Sequence, residues 1–88
     1  MLKKTKFDTQ LVKSLITSSI LKVPGIFSVD INDKLSDFNR NYFVIKIDLH
    51  EDVVNVLSVA NEARNLVYYE LSKQLNDDNV VINIIINC

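Results

Sequence analysis

The sequence predicts a small α+β domain in the order α-β-β-α-β, with a three-stranded sheet covered on one face by two helices. Three observations carry that prediction. Glu51 to Leu75 runs without glycine or proline and keeps a helical period, a shorter amphipathic stretch occupies residues 9–22, and three other segments have the alternation of strands. With 88 residues and 48% of them apolar, the chain is long enough to fill one core and too short for two, so residues 1–88 form a single domain.

Taken in order, Lys3 to Phe7 has the composition of a short extended segment, a small strand ahead of the first helix, and Asp8 stands where an N-cap is wanted. Leu11, Val12, Leu15, Ile16, Ile20 and Val23 recur mostly at spacings of three and four, which makes residues 9–22 an amphipathic helix. Pro24 and Gly25 stop it. After Ile26 the chain alternates: Phe27, Val29 and Ile31 are expected inward, Ser28 and Asp30 outward. Asn32 to Asn41 is polar and acidic, a hairpin loop that Leu35 and Phe38 tack onto the body. Tyr42 to Leu49 alternates again, with Phe43, Ile45, Ile47 and Leu49 inward and Tyr42, Lys46 and Asp48 outward. A loop of this length joins two such strands most easily as an antiparallel pair.

The long helix then begins at His50-Glu51-Asp52, whose carboxylates complement the positive end of its dipole. Val53, Val56, Leu57, Ala60, Ala63, Val67, Leu71 and Leu75 share one face, with small Ala60 and Ala63 at its centre, where the helix can lie close to a sheet. Asn76 to Asn79 is turn-prone and ends it. Val80 to Ile86 forms the last strand, with Val80, Ile82, Ile84 and Ile86 on one side and Val81, Asn83, Ile85 and Asn87 on the other. Because both sides carry apolar residues, the strand is expected to be covered by helices on one side and partly shielded on the other. Placing both helices on one face of the sheet buries both helical stripes.

Composition narrows the function classes. One cysteine, Cys88, excludes an intrachain disulfide and suits a reducing compartment. Apolar runs are only a few residues long, far short of the roughly 18 a membrane span needs. The opening MLKKTKFDTQ has no apolar stretch of the secretory kind, so a cytoplasmic protein is expected. Charge is uneven, with residues 1–22 holding five lysines against Asp8 and residues 23–88 holding five basic against ten acidic side chains. Lys3, Lys4, Lys6 and Lys13 form a candidate basic patch for anionic lipid or nucleic acid. The shortness of the run and the acidic remainder favour a solvated tail and helix surface instead.

The search for chemistry finds little. His50 is the only histidine, so a nucleophile with an adjacent imidazole base has one candidate and no clear partner. Asp48, His50 and Asp52 are the possible metal ligands, with Asp48 and His50 sharing the outward face of a strand, but no clear fourth ligand is evident. With Gly25 the only glycine, a glycine-rich phosphate cradle is excluded. No catalytic residue, cofactor or metal is assigned. Surface features are more informative: Val59 and Leu66 widen the apolar arc of the long helix, Tyr69 lies opposite its core face, and Arg64 lies at the edge of that face. Val59 and Leu66 either receive the first helix or, with Tyr69 as an exposed anchor, form a surface for a protein partner or for self-association.

Ser18 to Val29, SSILKVPGIFSV, resembles the helix end and following strand of the alkaline shock protein family, with Val23-Pro24-Gly25-Ile26-Phe27-Ser28-Val29 matching a "v-x-G-V-x-x-v" stretch. Val44-Ile45-Lys46-Ile47-Asp48-Leu49 is similar to the family's "v-x-i-d-l" strand. The long helix followed by Val80 to Ile86 resembles its closing helix and strand. His50-Glu51-Asp52 stands where the family has a longer, Tyr-Gly-like turn. The resemblance implies a small, non-enzymatic cytoplasmic protein of cell-envelope homeostasis or stress, acting through protein contacts and held near the membrane by partners. Abundant Asn and Ile and an excess of Lys over Arg agree with AT-rich coding in a low-GC bacterium.

Two other families share part of the pattern. A ferredoxin-like metal-binding domain would need a Cys-x-x-Cys pair, which is absent. A type II KH-like RNA binder has a similar element order but clamps the RNA backbone with a GxxG loop that one glycine cannot supply. A KH-like RNA- or ribosome-associated protein using the basic N-terminal residues is the alternative to the adaptor.

Overall fold

The computed structural model describes residues 9–87. Helix α1 (Thr9–Ile20), strands β1 (Ile26–Ile31) and β2 (Tyr42–Leu49), helix α2 (Val56–Leu75) and strand β3 (Val81–Asn87) follow in the expected order. The expected segment Lys3 to Phe7, the cap Asp8, and Lys3, Lys4 and Lys6 of the basic patch lie outside the described residues. β2 is the central strand, antiparallel to β1 and parallel to β3. The parallel pairing follows from the connection, because a helix laid back along the sheet returns the chain to enter β3 in the direction of β2. α1 and α2 pack side by side on one face, α1 against β1 and α2 against β3.

α1 buries Val12, Ile16, Ser19 and Ile20 and leaves Leu11, expected inward, largely exposed. The buried set is spaced four, three and one, and Leu11 falls one position off that stripe. Leu21 and Lys22 belong to the turn that follows, where Val23 donates its N–H to Ile20 C=O at 2.9 Å. Gly25 comes next with φ +100, and a Cβ there would lie 2.9 Å from Val53 Cγ2 and 3.5 Å from Val59 Cγ2. Both the left-handed backbone and the lack of space require glycine.

α2 begins at Val56, not at Glu51. Asn55 is its N-cap, its Oδ1 accepting the Ser58 N–H at 3.0 Å. A cap of this kind satisfies a backbone donor, whereas Glu51 and Asp52 offer only a screened charge interaction, so the carboxamide sets the boundary. Ala63, Val67 and Leu71 are fully buried, Ala60 and Leu75 half so. Val56 and Leu57, expected in the core, are exposed, and Val53 packs over Gly25 from the preceding loop. Asn76 ends the helix in the left-handed conformation, giving its N–H to Ser72 C=O.

In the sheet, Phe43, Ile45 and Ile47 of β2 are wholly buried beneath the helices, flanked by Val29 and Ile31 on one side and Ile82, Ile84 and Ile86 on the other. Phe27 departs from the expected pattern. The register shifts between Ile26 and Ser28, so Phe27 is the extra residue of a bulge and stands 66% exposed while Ile26 takes the core position. On the outer face Val44 is buried where the Asn32–Asn41 connection folds back and Ser36 Oγ accepts its N–H at 2.9 Å. Val81 and Ile85 remain 43% and 45% exposed, so the shielding expected on that side of β3 is absent among the described residues.

Candidate functional site

The solvent side of α2 forms a shallow groove. Residues spaced by three and four along the helix, Leu57, Ser58, Asn61, Glu62, Asn65, Leu66 and Tyr69, line it, and Asn55 closes its N-terminal end. Two of the residues singled out from the sequence meet here. Tyr69 is 58% exposed, with Lys73 Nζ 5.3 Å from its ring centroid, and Leu66 is half-buried, one side on the core and the other in the groove. Val59 is not part of this groove. It is half-buried against the core near Gly25.

Leu57 is the groove residue that sequence reasoning placed in the core. At 72% it has the highest fractional exposure of the large apolar side chains of α2. Burial along α2 begins at Val59, and the wheel cannot show where a covering layer stops. The polar members Asn61, Asn65 and Glu62 carried no signal of their own, since carboxamides on a solvent face are ordinary. The groove therefore offers apolar contact from Leu57, Leu66 and Tyr69 between carboxamides that donate and accept hydrogen bonds. That mixture suits a protein surface.

A second depression lies at the start of α2, bounded by Pro24, Gly25, His50, Asp52, Val54 and Val59. His50 sits at its rim with its ring edge-to-face against Phe27, centroids 5.4 Å apart. Asp48 is turned to the outer sheet face, where its carboxylate accepts from Ser28 Oγ at 2.7 Å and Asn87 Nδ2 at 2.6 Å. Those bonds, aided by the nearby Lys46 ammonium, hold its carboxyl below the usual carboxylate range. Asp48, His50 and Asp52 are thus divided between two surfaces. Among the described residues no three His, Cys, Asp or Glu side chains converge as metal ligands.

Lys13, the described member of the basic patch, bonds to Asp33 across 2.7 Å and lies 6.0 Å from the centroid of the Phe38 ring. It pins the β1–β2 connection to α1. Phe38 in turn meets Phe43 edge-on at 5.2 Å, so the polar loop is anchored through one aromatic and one ion pair. Among the described residues no helix is long and apolar enough to cross a membrane. Neither a family model, nor a curated protein, nor a solved structure matches the chain.

Proposed function

We propose that this chain is a non-enzymatic adaptor or scaffold of the alkaline shock protein type, serving cell-envelope homeostasis or stress by docking a protein partner on α2. The observation that carries the reading is the α2 groove, in which Leu57, Leu66 and Tyr69 are presented to solvent between Asn61 and Asn65. An aromatic anchor beside aliphatic side chains, rimmed by groups that hydrogen-bond either way, is the usual composition of a contact centre. The reading of the family rests on the sequence resemblance of Val23 to Val29 and Val44 to Leu49.

The test is affinity purification from the native cell with membrane fractions retained, comparing the wild type with a double variant, Asn61→Lys and Tyr69→Lys. Both sites are exposed, so the fold is kept. The adaptor reading expects envelope proteins on the wild type and their loss from the variant. Equal recovery on both removes the groove from the function. Recovery of RNA or ribosomes that disappears with rising salt and with joint replacement of Lys3, Lys4 and Lys6 would transfer the function to RNA binding.

A further inference from the structure

The two edges of the sheet are built differently. β1 carries the bulge at Phe27 and an exposed Asp30, and both discourage a further strand. β3, VINIIIN, holds no charge and no proline, and it pairs with β2 without a break from Val81 to Asn87. The ladder fixes which of its backbone groups are spent. Val81 donates its N–H to Asn41 C=O at 2.9 Å, on the β2 side. Successive strand residues turn their N–H and C=O to opposite sides, so Val81, Asn83, Ile85 and Asn87 bond toward β2. Ile82, Ile84 and Ile86 turn theirs outward, away from the sheet.

We propose that this outward edge pairs with the β3 edge of a second copy of the chain, antiparallel about a two-fold axis at Ile84, so that one sheet runs through both copies. Among protein partners, an extended strand is the one that matches N–H and C=O groups presented at every second residue. The register is self-complementary. With the axis at Ile84, Ile82 faces Ile86 of the second copy, Ile84 faces its own counterpart, and Ile86 faces Ile82, each pair exchanging two hydrogen bonds. A shift of two residues leaves Ile82 or Ile86 without an opposite number inside the strand. The same alignment sets apolar against apolar on the helix side and places Asn83 beside Ile85 on the outer side, with no charge to repel. Pairing with β1 of the second copy is disfavoured by its bulge and Asp30.

The flank of α2 turned away from Val59 and Leu66 supports the same edge. It carries exposed Arg64 and Tyr68, and Tyr68 Oη donates to Asp78 C=O just ahead of β3. A strand added to β3 comes in beneath that flank. The α2 groove faces solvent and takes no part, so this pairing goes beyond the docking reading and does not depend on it.

Light scattering over a concentration series, combined with amide hydrogen exchange, tests the pairing. The expected result is a mass of two chains, with slow exchange at Ile82, Ile84 and Ile86 as well as at the β2-bonded residues, and with only the former three accelerating on dilution. Ile84→Pro removes an outward donor at the axis and spares the ladder to β2, so it should move the dimer midpoint at least about tenfold higher in concentration with the circular dichroism retained. Asn61→Lys with Tyr69→Lys should leave the dimer unchanged, which separates failure of this pairing from failure of the groove. A one-chain mass throughout, or a dimer whose Ile82, Ile84 and Ile86 amides exchange as fast as loop amides, overturns the proposal.

Discussion

Phe43, Ile45 and Ile47 lie under the helices, while Tyr42, Lys46 and Asp48, one residue away along the same strand, face out. The two faces of β2 are held by different physics. On the inner face, apolar volume from both helices and both neighbouring strands closes over the side chains, with Ser19 of α1 the one buried polar residue among those described. On the outer face, position is set by directed bonds, with Asp48 between Ser28 and Asn87 and Ser36 on the Val44 backbone. Packing is volume-limited, so the inner face tolerates little change. Solvent-facing bonds compete with water, so the outer face tolerates more.

The largest break in that comparison is expected from Phe43→Ala. Phe43 is fully buried and its ring meets Phe38 edge-on, so truncation leaves a cavity and frees the β1–β2 connection. A loss of about 3–5 kcal/mol is expected by urea denaturation, a large share of the stability of a domain this size. Gly25→Ala comes next. A Cβ at φ +100 is strained and would press on Val53 Cγ2 at 2.9 Å, so a loss of about 1–3 kcal/mol is expected. If instead Gly25→Ala matches the wild type in the same denaturation, the turn that leads into the inner face is not tied to the start of α2.

Asp48 sharpens the comparison through pH. Its folded-state pKa is depressed, first by Ser28, then by Asn87, then by Lys46. The unfolded chain therefore binds this proton at higher pH than the folded one. The resulting stability is fully present above the ordinary carboxylate pKa of about 3.9, and it is lost as pH falls through the lower folded value. Asp77 behaves the same way, held down by the Asn79 N–H and by Asn41 Nδ2. Melting temperatures followed from neutral pH into acid should fall on the acid side for the wild type and fall less for Asp48→Asn. An unchanged acid limb in that variant would show that the outer-face network does not stabilise the fold.

Much of this contrast was legible in the sequence, because period alone separates the faces. Phe43-Val44-Ile45-Lys46-Ile47-Asp48 alternates, and Ala63, Val67 and Leu71 recur at fours, so the elements and their order follow directly. What failed were features that change the period locally. The bulge at Phe27 adds a residue that alternation cannot count, and it turned an expected core aromatic out to meet His50. The Asn55 carboxamide, not the Glu51 and Asp52 carboxylates, sets the helix start, and Leu57, expected in the core, stands exposed. Of the α2 groove, Tyr69 was visible because it lies opposite the core stripe. Its carboxamide members were not, since their type alone does not distinguish a contact surface from solvated helix.

The smallest expected effect is also the sharpest test of the outer face. Ile85 projects from it at 45% exposure, and Thr keeps the branched shape at Cβ that suits a strand. In the isolated domain Ile85→Thr should change stability by no more than about 0.5 kcal/mol, since a half-exposed methyl group gains little from folding. Measured at concentrations low enough to hold the chain monomeric, a cost of about 2 kcal/mol or more would mean that a further layer covers this face within the chain itself. The same substitution at Ile45, which is wholly buried on the helix side one strand in and pairs with Ile84, should cost several times as much. The ratio between the two measures how far one face of this sheet is core and the other is surface.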